Sequence, residues 1–411
     1  MKIRSITYFI NPGWPLDETK FQSAGRFLTE AKSAFDAAGY KVQTTRLATI
    51  PFPQLLEDQI EETPRLAEAV ESSISSIGVE YAALGPAFPN VPSSYEIIPE
   101  AISQTENIFF SGVMADSHNG ISLKAVRACA EVIVKCAPLT PDGFANLRFA
   151  ALANVPPGAP FFPAAYHQGN RPAFAIATEA ADLAVEAFKN AKSLNEGRDA
   201  LVETLETHGK ALATVARKLQ FRFGAQFGGI DFSLAPFPVD EQSLGGAVEE
   251  MGISSVGLHG SLAAAAILTE AVDRANFPHT GFSGFMQPVL EDSVLAKRAA
   301  EGTLTIKDLL LYSAVCGTGL DTIPLPGNVS SDQIAALLLD LSALALRLDK
   351  PLTARLMPIP GKQAGDLTGF DFAFFANSKV MALDAEKLEG VFATNDVFQI
   401  QAHRPQSLSG S

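Results

Sequence analysis

"IRSITYFINPGWPLDETKFQSAGRFLTEAKSAFDAAG", residues 3–39, is the stretch whose reading decides the fold. Its first eight residues are β-branched and aromatic, which suits a strand buried on both faces. After the turn at Asn11-Pro12-Gly13, apolar residues recur at helical spacing until Gly39 ends the pattern. The unit is therefore a strand followed by a helix. The same alternation predicts strands in "KVQTTRLAT" (41–49), "EYAALG" (80–85), "NIFFSGV" (107–113) and "NLRFAALAN" (146–154), with helices near 64–76, 97–104 and 120–136 between them.

"NVPPGAPFFPAAYHQGNRP", residues 154–172, is too rich in Pro and Gly for either element and reads as a long ordered loop at a junction between two halves. Two helices are expected beyond it, near 177–193 and 196–219. Strands then follow in "FGGIDFSLA" (227–235), "ISSVG" (253–257), "LDTIPLP" (320–326) and "LTARLMPI" (352–359), and helices near 241–251, 261–275, 288–300, 306–316 and 331–348. Repeated strand–helix units imply parallel strands with helices outside them. About ten strands at this spacing favour a closed α/β barrel, with an eight-stranded TIM-like barrel as the alternative, and place the chemistry on loops after strand ends. The expected organisation is a single α/β barrel domain over residues 1–400 and a flexible polar tail over 401–411.

Composition limits the function classes. The 411 residues are 47% hydrophobic and 18% charged, with 31 Gly and 26 Pro, as in a large globular domain with many turns. Forty-five acidic against 31 basic side chains give a formal charge of -14, a field that repels phosphate backbones and anionic lipid, so no nucleic acid and no membrane partner is expected. Cys129, Cys136 and Cys316 form no C-x-x-C pair, so neither a disulfide framework nor a thiolate zinc site is indicated, and the expected compartment is the cytoplasm. No stretch approaches the roughly 18 uninterrupted apolar residues of a membrane span. The partners expected are a small-molecule ligand and, in a homodimer, a second copy of the chain.

Five stretches carry candidate chemistry. In "GGIDFSLAPFP" (228–238), Asp231 stands inside a strand beside Ser233, and a carboxylate there must be hydrogen-bonded to a neighbouring loop or must face a ligand or metal. In "ISSVGLHGSLAAAAILTEAV" (253–272), Gly257, Gly260 and Ser261 flank His259 where Ser261 would cap the following helix, a place that favours an anion. In "GFSGFMQPVLEDSVLAKRAAEG" (281–302), Pro288 would open a helix with Glu291 and Asp292 in its first turn, which the helix dipole favours with or without a catalytic duty. "MADSHNGIS" (114–122) brings Asp116, His118 and Asn119 to a strand's carboxyl end, as metal ligands or as a capping turn. Finally, "LLLYSAVCGTGLDTIPLPG" (309–327) sets Cys316 in the last turn of a helix that opens with the Thr305/Asp308 capping box, with Asp321 five residues on. A helix carboxyl end disfavours a thiolate, so Cys316 is expected to be buried and weakly acidic beside the cavity.

Taken together, "GGIDFSLAPFP", "GLHGSLAAAAILTEA", "GFSGFMQPVLED" and "VCGTGLDTIPLPG" resemble the motif series of the domain of unknown function 711 family, also called uncharacterised protein family 0210. Members are similar in fold to glycyl radical enzymes such as pyruvate formate-lyase, so the resemblance implies a ten-stranded α/β barrel of that type. It also suggests a role for Cys316 like that of the cysteine those enzymes carry on a loop tip inside the barrel. The glycine that stores their radical has no counterpart, because the R-V-x-G-Y type segment is absent and no Tyr follows Tyr312, so glycyl radical chemistry is not expected. Two readings remain. One is a small-molecule enzyme, metal-assisted by a divalent ion or not, whose pocket gathers Asp231, His259, Glu291, Asp292, Cys316 and Asp321. The other is a catalytically silent binding or regulatory protein with the same barrel.

Overall fold

A computed structural model of the protein describes residues 1–403. Its strands are β1 (Lys2–Ile10), β2 (Val42–Thr49), β3 (Tyr81–Ala87), β4 (Ile108–Asp116), β5 (Gly120–Ser122), β6 (Phe149–Ala153), β7 (Ala173–Glu179), β8 (Gln226–Ala235), β9 (Gly319–Pro326), β10 (Leu352–Ile359) and β11 (Val397–Phe398). Nine of them form a continuous path in the order β8-β7-β1-β2-β3-β4-β6-β10-β9, and the short β5 and β11 pair off it.

The path divides into two parallel groups. β1, β2, β3, β4 and β6 run parallel to one another, and so do β7 with β8 and β9 with β10. The groups meet antiparallel at β1/β7, where Lys2 lies opposite Glu179 and Phe9 opposite Ala173, and at β6/β10, where Leu352 lies opposite Ala153. The expectation of parallel strands throughout is corrected at these two joints. Residues 279–288 then close the gap between β8 and β9. This segment bridges Ile230 and Ser233 of β8 through His279 and Gly284, and Asp321 of β9 through Pro288. Backbone bonds support both sides: Thr280 N and Gly284 N donate to Ile230 O and Phe232 O, and Gly317 N donates to Phe285 O. With this irregular tenth member the sheet is a ten-stranded α/β barrel, and the eight-stranded alternative falls away.

The strands of the nine-membered path are largely buried on both faces, which explains their near-continuous apolar reading. In β1, Ile6, Tyr8 and Ile10 pack outward against Phe21, Phe27 and other helical side chains. Phe9 points inward to Phe162 and Ala165, and Thr7 Oγ1 donates to Pro160 O at 3.2 Å. Residues 159–167 of the connection between β6 and β7 thus run through the barrel interior, while residues 168–172 are exposed. Small inward residues make room for it: Ala48, Ala83 and Ala175 surround Phe162, while Ala150 packs with Ala159 and Ala164.

Other elements also depart from expectation. "AFAIATE" is strand β7, not the start of a helix; the helix runs only over Ala181–Lys189. Residues 253–260 form turns rather than a strand. The helix expected from 288 starts at Ser293, behind the short 3-10 turn Val289–Glu291, and the helix expected to reach 316 ends at Tyr312. In the expected tail, His403 N bonds Arg347 O and Arg347 donates to Gln401 O; residues 404–411 lie outside the described residues. No helix among the described residues is long and apolar enough to cross a membrane.

The closing segment depends on Gln287, which is fully buried and whose Nε2 donates to Leu309 O and Gly319 O, each at 2.8 Å, and to Ser313 Oγ at 3.1 Å. Gln287→Met keeps the volume and removes these donors, so it should destabilise the fold by about 2–4 kcal/mol through unsatisfied buried acceptors. Urea unfolding of the two proteins under identical conditions checks this, and an unchanged midpoint would show that another group holds the seam.

Candidate functional site

A cavity of about 430 Å³ occupies one end of the barrel interior. Because the two strand groups are antiparallel, this end combines the amino ends of β1, β2 and β3, which supply Arg4, Arg46 and Tyr81, with the carboxyl ends of β7 and β8, which supply Thr178 and Asp231. Glu291, just beyond the closing segment, and Arg355, within β10, add to its charged lining, as do Glu106 and Arg148. Phe161 and Phe162 of the interior connection form one apolar wall. Phe372 and Phe374, from the strap "GFDFAFF" at 369–375, form another, and Phe372 lies 5.0 Å from Phe144 in an edge-on contact.

Asp231 is almost completely buried and accepts four hydrogen bonds. Its Oδ1 takes Ser233 Oγ at 2.6 Å, Ser233 N at 3.0 Å and Ser283 N at 3.0 Å, and its Oδ2 takes Phe282 N at 2.9 Å. It therefore ties the closing segment to β8 while lining the cavity. Gly281 beside it has φ +66°, and a Cβ there would lie 2.1 Å from Asp231 Oδ2, so only glycine permits the approach. Burial raises the Asp231 carboxyl above the usual range despite these donors.

Glu291, Arg4, Arg355 and Asp321 form a buried network. Arg355 binds Asp321 through Nε at 2.6 Å and through NH2 at 3.0 Å, and that same NH2 reaches Glu291 Oε1 at 2.7 Å. Arg4 holds the other Glu291 oxygen and lies 3.5 Å from Glu179 Oε2. Burial pushes Asp321 up to about 6; Arg355 opposes that shift, and the like charge of Glu291 reinforces it. Arg46 differs from both of these arginines. Its Nε donates to Thr44 Oγ1 at 3.0 Å, and its guanidinium lies 5.1 Å from the Phe162 ring centroid and 5.9 Å from that of Tyr81.

The structure brings together Asp231, Glu291 and Asp321 and leaves the other candidates elsewhere. Asp292 is a double helix cap. It accepts from Ser243 Oγ, Leu244 N and Gly245 N at one helix start, and from Val294 N and Leu295 N at the next, which satisfies a buried carboxylate completely. His259 is exposed on a surface turn away from the cavity. Ser261 is not the expected cap: Gly260 takes that position in a left-handed conformation, and Ser261 Oγ bonds Gly257 N and Leu258 O. Gly257 is a packing glycine, since a Cβ would lie 1.9 Å from Thr303 O. The anion site expected here thus lies away from the barrel cavity.

Cys316 is buried in the layer between barrel and helices, with its Sγ accepting from Gly319 N at 3.2 Å, and it does not line the cavity. The connection that does run inside the barrel carries no cysteine. Asp116 forms an exposed turn, accepting from His118 N and Asn119 N, each at 2.8 Å. Among the described residues no three His, Cys, Asp or Glu side chains gather as metal ligands. Sequence reasoning missed Arg4, Arg46, Arg355 and the aromatic strap. The signal for Arg46 and Arg355 was present in "TTRLAT" and "TARLM", where a charge interrupts a buried strand just as Asp231 does.

The fold and cavity define a ten-stranded α/β barrel with a charged interior pocket. Residues 1–377 match the profile of the family described as Uncharacterised ACR (DUF711), and the chain belongs to that family. It is 34% identical over 347 residues to the UPF0210 protein of Pyrobaculum aerophilum, covering 80% of this chain and 76% of the relative. It is 33% identical over 355 residues to the UPF0210 protein of Acetivibrio thermocellus, covering 81% and 77%. Among solved structures, the anaerobic ribonucleotide reductase from Thermotoga maritima with dATP bound in the specificity site superposes with a TM-score of 0.43 at 8% identity, over 86% of this chain and 75% of that one.

The coupling between Asp321 and Glu291 yields a pH test. A folded-state value above the unfolded one means that the folded chain holds its proton longer. The contribution of Asp321 to stability is then complete below the ordinary carboxyl range and is lost as pH rises through about 6. Glu291→Gln removes the neighbouring negative charge and should move the Asp321 midpoint down toward the ordinary range. Carbon-detected NMR titration of ¹³C-labelled aspartates in both proteins checks this, and an unmoved or higher midpoint would contradict the coupling.

Proposed function

We propose that the barrel cavity is the small-molecule site of an enzyme that acts by proton transfer, with Asp231 as the group that exchanges the proton. One observation carries the reading: a buried carboxyl, raised by burial, faces a cavity in which Arg4, Glu291 and Arg355 are held in a fixed network. Proton exchange calls for a carboxyl whose neutral form is accessible near neutral pH, and burial moves Asp231 in that direction. The Glu291–Arg355–Asp321 network keeps the wall charges in place during such a step. A divalent ion enters this reading only as one carried in with the substrate, because the cavity carboxylates are already engaged by arginines and backbone amides.

A second reading, a catalytically silent small-molecule binding or regulatory protein, is favoured by the same saturation. Both Asp231 oxygens already accept bonds that hold the barrel seam.

Saturation-transfer NMR on defined mixtures of small metabolites, followed by time courses on the compounds that bind, separates the two readings. The enzyme reading expects at least one bound compound to be converted by the native protein, and conversion to fall by roughly 10²–10⁴-fold in Asp231→Asn while binding persists. Circular dichroism establishes that the variant is folded. Saturable binding without conversion selects the silent reading, and the absence of any bound compound overturns the pocket assignment.

A further inference from the structure

We infer that the cavity selects a small molecule bearing a carboxylate or phosphate group on a flat apolar body, anchored by the guanidinium of Arg46. The inference rests on the reading of the cavity as a small-molecule site and specifies what that site takes.

Four arginines line the cavity, and three of them have their charges or donors occupied. Arg4 and Arg355 share Glu291, and Arg355 also holds Asp321. Arg148 donates to the carbonyls of Thr105 and Ile102. Arg46 has no carboxylate partner among the described residues, and its one hydrogen bond there uses Nε, so both terminal amino groups of its fork have no protein acceptor. A half-buried guanidinium without a counter-ion is costly unless something else completes it.

Its surroundings define what that completion must look like. The rings of Tyr81 and Phe162 lie within cation–π range of the guanidinium and fix its plane without neutralising it. A planar fork with two free donors matches a carboxylate or a phosphate bidentately, and it does so better than a point charge would. Burial, together with the repulsion of Arg4, pushes the Arg46 guanidinium down to about 9, which still leaves it charged at neutral pH. Beyond the fork the walls are aromatic: Phe109, Phe161, Phe372 and Phe374 line the same cavity and suit a flat apolar body. The rim residues Gln43, Thr44 and Asn107 are partly exposed and Glu106 is exposed, which gives a path from solvent. The negative charge of the chain as a whole does not oppose this, since the field inside the cavity is set by its own four guanidinium groups against Glu106, Asp231 and Glu291.

The test is isothermal titration calorimetry of the full chain at low salt with three probes of similar shape: benzoate, phenyl phosphate and neutral benzamide. At least one anionic probe should bind at least about tenfold more tightly than benzamide, as expected when a charged fork gains an ionic partner. Which of the two binds more tightly separates carboxylate from phosphate as the preferred group. In Arg46→Met that preference should vanish while any benzamide binding stays within about twofold of native. The variant should also melt no lower than the native protein, because it loses an uncompensated cation. If Arg46→Met does not fold, Arg46→Gln takes its place with the same expectation. Benzamide binding as tightly as both anions, or a preference that survives the substitution, overturns the inference and leaves the small-molecule pocket standing. Failure of all three probes to bind the native protein overturns the inference together with the pocket reading.

Discussion

A carboxylate removed from water must be given hydrogen-bond donors, and here that requirement falls at the weakest seam of the barrel. Segment 279–288 is too irregular to hold its place by a regular strand ladder, since it touches β8 and β9 only through isolated bridges. Asp231 supplies what the backbone does not: it accepts from the amides of Phe282 and Ser283 on one side and from Ser233 on its own strand. Gln287 performs the matching task toward β9. The cavity exists because the seam is closed, so the residue that closes it necessarily faces the cavity. Structural and chemical roles therefore meet in one side chain, and each limits the other.

The charged network follows the same logic at larger scale. Glu291, Asp321, Arg4 and Arg355 come from four separate elements, and their mutual neutralisation is what allows them to lie inside a barrel. Arg46 stands outside that network, on β2 among aromatic rings. A cation left outside a neutralised network, with its terminal donors unused, gives the cavity wall a direction, and it points toward the open space.

Much of the fold was legible because strands buried on both faces and amphipathic helices leave strong periodic signals. The strand Leu352–Ile359 and the helix Ser331–Leu348 coincide with their expected bounds, and β1 differs by a residue. What could not be read were elements held by tertiary contacts. "AFAIATE" is alanine-rich and runs directly into a helix, so local propensity favours the helix until β1 pairs with it. The closing segment contains Gly281, Gly284 and Pro288, which argue against a strand locally. For the site, Asp231 was found because a carboxylate is conspicuous in an apolar strand, and Glu291 because it falls just after Pro288 where a helix was expected to open. Arg46 and Arg355 were equally conspicuous but do not resemble nucleophiles or acids. His259 and Cys316 were chosen from neighbouring glycines, which signal a close backbone approach without saying what approaches. At Gly257 it is the carbonyl of Thr303, not a ligand.

Residues 159–167 of the connection between β6 and β7, lying inside the barrel, impose an order of assembly. The sheet cannot be wrapped shut first and filled later, because the chain that fills it is also the chain that joins β6 to β7. Phe162 and its neighbours must therefore be seated against β1, β2 and β3 while the barrel is still an open trough. Segment 279–288, β9 and β10 follow later in sequence, and their long-range pairing with β6 and β8 completes the wall. The part of the wall beside the cavity is thus closed by the residues that come latest in sequence. Parting at that seam would expose the pocket without dismantling either parallel group, because segment 279–288 is joined to β8 and β9 only by isolated bridges and side-chain bonds.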